Sequence, residues 1–230
     1  MFDVKCCVVI VTYNGSKWLK KMLDSVLNST MPVSIIVVDN HSTDDSLLIL
    51  KTFSEVKIVG NQTNLGFGKA NNIGIKMALA QQADYVFLLN QDTWIFPETI
   101  KNLIVQMEKK PKIGILSPIH LSVDEAQLDI NFEMYYNRFR LDYIDTKDLK
   151  IGSFVNAAAW MMRKKCIETV GYFEPIFNHY GEDRNYCNRV LYHKFEIGIL
   201  QTSKIVHDRD RKSTRLNSSH STLSRMPSSA

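Results

Sequence analysis

No apolar run in this chain is long enough to cross a bilayer, which removes the integral-membrane helical classes at the outset. Near the N-terminus only Cys6–Val11 is continuously apolar before Thr12-Tyr13-Asn14-Gly15, too short for the core of a signal peptide. Cysteine is scarce and forms no C-x-x-C pair: Cys6 and Cys7 are neighbours that a strand would point to opposite faces, and Cys166 and Cys187 stand apart. Such residues read as small buried hydrophobes in a reducing compartment, so a cytoplasmic location is expected. No G-x-G-x-x-G follows the first apolar run, which speaks against a dinucleotide-binding oxidoreductase. An early Gly- and Arg-rich phosphate loop, expected of a sugar nucleotidyltransferase, is also missing. Charge excess is small. Of the net +4, three charges (Lys212, Arg215 and Arg225) sit in residues 212–230, so there is little basis for nucleic-acid binding.

What is present is the composition of a soluble globular protein, with 45% hydrophobic and 23% charged residues in 230. That length suits one domain with a sizeable core. Strand-like and helix-like patterns alternate through the first half. Cys6–Thr12 predicts a buried strand, and Trp18, Leu19, Met22, Leu23, Val26 and Leu27 mark one face of a helix. Ser34–Asp39 predicts a strand, residues 43–53 a helix opened by the capping side chains of Ser42-Thr43-Asp44-Asp45, and Val56–Gly60 a third strand. Phe67–Ala80 predicts a helix, Tyr85–Leu89 a strand, and Pro97 the first residue of a helix carrying Ile100, Leu103, Ile104 and Met107. Ile113–Leu116 closes this series of strands. The alternation implies an α/β fold: a mainly parallel central sheet with helices on both faces, binding ligands beyond the carboxyl ends of its strands.

Between His120 and Lys150 the pattern breaks down, with Phe132, Tyr135, Tyr136, Phe139 and Tyr143 among charges, and an irregular or hairpin segment covering a site is expected. Later elements are a strand over Phe154–Met162, helices over Lys164–Val170 and Asp183–His193, and a last strand over Glu196–Gln201. Residues 212–230 hold seven serines, no acid and no apolar period, which argues disorder. Ser213-Thr214-Arg215-Leu216-Asn217-Ser218-Ser219-His220 also resembles translated adapter or vector sequence. The expected organisation is therefore a domain over 1–211, shortened at its C-terminus, and a non-native tail over 212–230.

Polar clusters fall at the predicted strand ends: Thr12-Tyr13-Asn14-Gly15, Asp39-Asn40-His41-Ser42, Asn90-Gln91-Asp92, and Gly181-Glu182-Asp183 before a late helix. Asn64-Leu65-Gly66-Phe67-Gly68-Lys69-Ala70-Asn71-Asn72 lies between them. Taken singly, each has an ordinary explanation as a turn, a cap or a loop. Their joint order and spacing from Val8 to His207 resemble the family 2 glycosyltransferases of GT-A fold, particularly the rhamnosyltransferase-like branch.

That resemblance implies a GT-A-type Rossmann-like sandwich and transfer of a sugar from a nucleoside-diphosphate sugar to an acceptor hydroxyl, with inversion. It places Thr12, Tyr13, Asn14 and Asp39 around the nucleotide, with Asn64, Gly66, Lys69 and Asn71 beside the nucleoside or diphosphate. Asn90, Gln91 and Asp92 occupy the Asp-x-Asp position, whose last carboxylate engages a divalent metal, Mg²⁺ or Mn²⁺. Asn90 departs from the acidic form of that motif. His207 aligns with a histidine that completes the metal or diphosphate site, the alternative being a structural role. Asp183 matches the general base, and Glu182 orients substrate or the helix start. Trp160 either stacks on a sugar ring or fills the core. The implied acceptors are cell-envelope glycans or lipid-linked precursors, with peripheral contact at the inner face of the membrane. A catalytically inactive nucleotide-sugar binder of the same fold is the rival reading, and loss of Asp92, Asp183 and His207 would mark it; all three are present.

Overall fold

The computed structural model describes residues 4–138, 148–177 and 180–209. Phe139, Tyr143 and the 212–230 tail lie outside the described residues. Nine strands among the described residues form one sheet. They are β1 (Cys6–Thr12), β2 (Ser34–Asp39), β3 (Val56–Gly60), β4 (Tyr85–Asn90), β5 (Thr93–Ile95), β6 (Ile113–Leu121), β7 (Leu149–Gly152), β8 (Ala159–Arg163) and β9 (Glu196–His207). Their order is β3-β2-β1-β4-β8-β6-β9-β5, with β7 also paired to β9. Strands β1, β2, β3, β4, β6 and β9 run one way, and β5, β7 and β8 run against them. The sheet is mostly parallel, as the alternating pattern predicts.

Its two faces follow from the period of two along each strand. Cys7, Val9, Ile36, Val38, Val86 and Leu88 point into one core, against α3 (Phe67–Ala80), α6 (Lys164–Val170) and α7 (Glu182–Tyr192). Cys6, Val8, Ile10, Ile35, Val37, Phe87 and Leu89 point into the other, against α1 (Ser16–Leu27) and α4 (Thr99–Lys109). Cys6 and Cys7 thus occupy opposite cores, and all four cysteines are free and buried. At Gly74 a Cβ would lie 2.3 Å from Val9 Cγ1, so α3 packs on β1 at backbone range.

Several boundaries depart from the sequence expectation. The helix expected over 43–53 shrinks to α2 (Ser46–Leu50), because the residues before it are drawn into loop bonds: Thr43 N donates to Asn14 Oδ1 (2.8 Å) and Ser46 N to Asp44 Oδ1 (3.0 Å). Pro97 precedes α4 by two residues and spends its carbonyl on Thr30 N (3.0 Å). The described part of the 120–150 region is more regular than expected. Strand β6 runs on to Leu121, and α5 (Ile130–Arg138) and β7 follow. The strand expected from Phe154 starts only at Ala159, and the last strand continues past Gln201 to His207. That extension carries β9 from the core to the ligand edge, where it pairs with β5.

Candidate functional site

The loop after β1 is built by side chains from two other segments, the 42–46 loop and the end of β4. Asn14 adopts a positive φ of 49°, which Asn tolerates better than most residues. Its Oδ1 accepts from Thr43 N, while its own N–H donates to Ser42 Oγ (3.0 Å), Gly15 N to Ser46 Oγ (2.8 Å) and Ser16 N to Asp44 Oδ2 (3.0 Å). Burial works to raise the Asp44 carboxyl pKa, but the hydrogen bonds from Ser46 and Ser16 outweigh it and lower it to about 2. From the β4 end, Gln91 Oε1 accepts both Thr12 Oγ1 (2.7 Å) and Tyr13 N (3.0 Å), and its Nε2 donates to Tyr13 O (3.2 Å). The amide lies so close to Gly15 that a Cβ there would be 2.3 Å from Gln91 Oε1. Gln91 is therefore the clamp that shapes the loop, and its side-chain oxygen is already committed.

The β2 end is organised around two adjacent residues. Asp39 is 2% exposed; its Oδ2 accepts Ser42 N (3.2 Å), and its Oδ1 is buried without a partner among the described residues. A buried carboxylate oxygen costs free energy unless something donates to it, so this atom has a hydrogen bond to gain. Asn40, which motif matching left without a role, ties the neighbouring loop together. Its Nδ2 donates to Asn64 Oδ1 (2.7 Å), and its Oδ1 accepts Asn61 Nδ2 (3.1 Å) and Leu65 N (2.9 Å). Asn64 Oδ1 also takes Gly66 N (2.9 Å), and Gly66 turns at φ 80° into α3. The Asn64 oxygen thus builds the loop. Asn71 is 2% exposed and bonded within its helix to Phe67 O (3.0 Å), whereas Lys69 stays partly exposed on the first turn.

At the end of β4 the chain turns sharply, with Thr93 Oγ1 donating to Asn90 O (2.6 Å), and presents Asp92. Strand β9 arrives antiparallel to β5 with His207 opposite Thr93, and Asp208 N donates to Asp92 O (2.8 Å). His207 Nε2 comes to 3.3 Å from Asp92 Oδ2. Burial would raise the Asp92 pKa, but the His207 imidazole and the Arg209 guanidinium nearby prevail and hold it below the ordinary carboxylate value. Two oxygen or nitrogen ligands at right angles on one Mg²⁺-sized cation stand about 3 Å apart. The Asp92–His207 pair has that spacing and a donor set suited to such an ion, so these residues fit the divalent metal that the motifs imply. Among the described residues no group of three or more His, Cys, Asp and Glu side chains converges.

The opposite wall is the start of α7. Tyr180 and Gly181 both have positive φ, 65° and 96°, which turns the chain abruptly into the helix. Glu182, 9% exposed, lies against the first turn of α3, where a Cβ on Gly68 would be 3.8 Å from its own Cβ. The Ala157 amide acts to lower the pKa of the Asp183 carboxyl, while Asn90 N donates to the carbonyl of the next residue, Ala158 (2.9 Å). One short stretch of backbone therefore joins Asp183 to the Asn90-Gln91-Asp92 turn. Burial raises the Asp183 pKa, opposed by the Arg184 amide and guanidinium and by the Ala157 amide. Trp160 belongs elsewhere: it is wholly buried, with its ring 6.0 Å from Phe173 and 5.9 Å from Tyr186, and offers no face to a sugar. This corrects the sugar-stacking alternative and has a plain cause. On β8, Trp160 sits opposite Leu88 and points into the α3/α7 core. Asn72 was another silent residue in the motif. Its amide grips Phe173 in both directions, Nδ2 to the carbonyl (2.8 Å) and Oδ1 from the N–H (2.9 Å), fixing the loop that leads toward α7.

Comparison with known proteins shows the family and the fold. The family described as Glycosyl transferase family 2 matches residues 7–171. Glycosyltransferase GlyA of Streptococcus pneumoniae is 26% identical over 226 residues, covering 92% of this chain and 31% of that one. The dTDP-rhamnosyl transferase RfbF of Shigella flexneri is 26% identical over 213 residues, covering 90% of this chain and 70% of that one. Among solved structures, S. aureus TarS 1-349 in complex with UDP-GlcNAc superposes with a TM-score of 0.71 at 19% identity, covering 90% of this chain and 59% of that one. GalNAc-T7 with UDP, GalNAc and Mn²⁺ gives a TM-score of 0.69 at 15% identity, covering 90% of this chain and 44% of that one. The chain thus spans about a third of the length of GlyA and about three-fifths of the TarS fragment.

Proposed function

Because this chain belongs to glycosyl transferase family 2, we propose that it moves a sugar from a nucleoside-diphosphate sugar to an acceptor hydroxyl, with inversion at the anomeric carbon. The observation that carries this reading is the meeting of Asp92 and His207, far apart in sequence, at 3.3 Å beside the Gln91-clamped loop. In this mechanism the base lies near Thr12 and Tyr13, and the unpaired Asp39 Oδ1 accepts a hydrogen bond from it. Asp92 and His207 would hold a divalent cation, which when bound neutralises charge on the diphosphate leaving group. Asp183 takes the proton of the acceptor hydroxyl as that oxygen attacks the anomeric carbon and the bond to the diphosphate breaks. A raised carboxyl pKa suits that task, since it makes the carboxylate a stronger base.

RfbF is named for rhamnosyl transfer, TarS for transfer to a ribitol-phosphate polymer, and a Mycobacterium tuberculosis relative for a decaprenol-linked acceptor. By analogy the acceptor here is a cell-envelope glycan or a lipid-linked precursor, reached from the cytoplasmic face with peripheral membrane contact. No helix among the described residues is long and apolar enough to cross a membrane. A screen of UDP-, dTDP- and GDP-sugars by calorimetry, with and without Mn²⁺, tests donor use, and product formation on lipid-linked acceptors tests transfer. Binding without turnover on any acceptor would favour the inactive binder. No binding of any nucleotide sugar would sink both.

A further inference from the structure

His207, the last residue of β9, and the two residues after it are each anchored differently. His207 faces Asp92. Asp208 accepts Trp18 Nε1 (2.9 Å) and lies 3.6 Å from Lys17, which pins the strand end to α1. Arg209 donates Nε to Asp129 Oδ2 (2.9 Å). Asp129 is a rigid support: its side chain is 4% exposed, its Oδ1 accepts Phe132 N (2.9 Å) at the start of α5, and its own N–H donates to His120 O (2.9 Å). A guanidinium gripped along one edge keeps its other N–H groups free and aimed. Here Nη2 is buried with no acceptor among the described residues, although the side chain as a whole is about a quarter exposed. The motifs assign Arg209 no role, and the structural use of Asp129 leaves that donor unexplained. Its charge is also felt at Asp92, consistent with a position on the same edge of the sheet.

We propose that Arg209 is a phosphate-binding residue of the donor site, held by Asp129 so that its unpaired Nη2 meets an oxyanion of a nucleoside diphosphate. The proposal rests on the donor reading above and adds a cation from the protein beside the pair Asp92 and His207. Asp129 acts through Arg209 and is a positioning residue.

The test compares UDP and dTDP with the nucleosides uridine and thymidine, by calorimetry with Mn²⁺ present, on wild type, Arg209→Gln, Arg209→Lys and Asp129→Asn. A charge-assisted hydrogen bond lost from the diphosphate should weaken nucleoside diphosphate binding about ten- to a hundredfold in Arg209→Gln, with nucleoside affinity unchanged. Arg209→Lys should fall between, because it keeps the charge and loses the fork. Asp129→Asn still caps α5 and should lose diphosphate affinity with no change in melting temperature. Unchanged diphosphate affinity in Arg209→Gln overturns the proposal alone. An equal loss for nucleoside and diphosphate also overturns it, since that is the mark of a structural role. If wild type binds neither UDP nor dTDP nor any other nucleoside diphosphate, the donor reading fails and takes the proposal with it.

Discussion

Asp92 and Asn90 are separated by one residue and differ by one charge, and that difference sets their expected weights. Asp92→Ala removes the carboxylate that faces His207 and should abolish most of the Mn²⁺-dependent part of donor affinity. Asn90→Ala deletes a neutral hydrogen-bonding group, worth about 1 kcal/mol, and should weaken donor binding only several-fold. Calorimetry with and without metal reads both, and equal affinities for wild type and Asp92→Ala would refute the assignment. Asp183 makes a prediction in pH. Burial raises its folded pKa, so the acid limb of kcat/KM should lie above the ordinary carboxylate range. By linkage, a carboxyl whose folded pKa is raised adds stability below its unfolded pKa and loses it as pH rises through the folded value. Asp183→Asn should therefore cut turnover by roughly 10²–10⁴-fold, leave donor affinity nearly unchanged, and melt no lower than wild type at neutral pH. Wild-type turnover in that variant would put the base elsewhere.

Helix α3 shows how an element is placed by what it lacks. Its first turn carries the partly exposed Lys69, and its middle rests on β1 at Gly74, where an added Cβ would come within 2.3 Å of Val9 Cγ1. Gly74→Ala gains up to about 1 kcal/mol of helix propensity. Overpacking against a buried β-branched residue costs about 1–3 kcal/mol, so the net effect should be destabilising. Val9→Ala in the same chain should return part of the loss, because it removes the methyl group that is struck. Urea unfolding of the two single variants and the double measures this, and additive losses would mean that the two residues do not touch. Gly15 is the counterpart in the loop after β1: its missing side chain makes room for the Gln91 clamp that positions Thr12 and Tyr13.

For the molecule as a whole, the two cores on either side of the sheet are closed by described elements, and the candidate site draws on segments from Thr12 to His207. A Ser-rich segment without apolar period has little to bury. Deleting residues 212–230 should leave the melting temperature and nucleotide affinity unchanged, and a drop of many degrees would show that the tail is packed.

Periodicity alone was enough to delimit β1, β2, β3, α3 and α6, because a run of apolar residues in a strand or one apolar stripe on a helix writes its bounds into consecutive residues. The polar clusters likewise put Thr12 and Asp39 at the ends of two strands and Asp183 in the opening turn of a late helix, where the structure has them. What required the fold was every feature made by residues distant in sequence. The extension of β9 to His207 is set by pairing with the far end of β6 and with β5, a three-residue strand with no pattern of its own. The short α2 follows from a neighbouring loop competing for Thr43 and Asp44. Trp160 is a core residue because of its register opposite Leu88, and Gln91, Asn40 and Asn72 became clamps only once the loops they hold lay beside them. Local propensity is a property of neighbours along the chain, whereas a carboxylate and an imidazole separated by most of the sequence meet only when a sheet's topology brings their strand ends together.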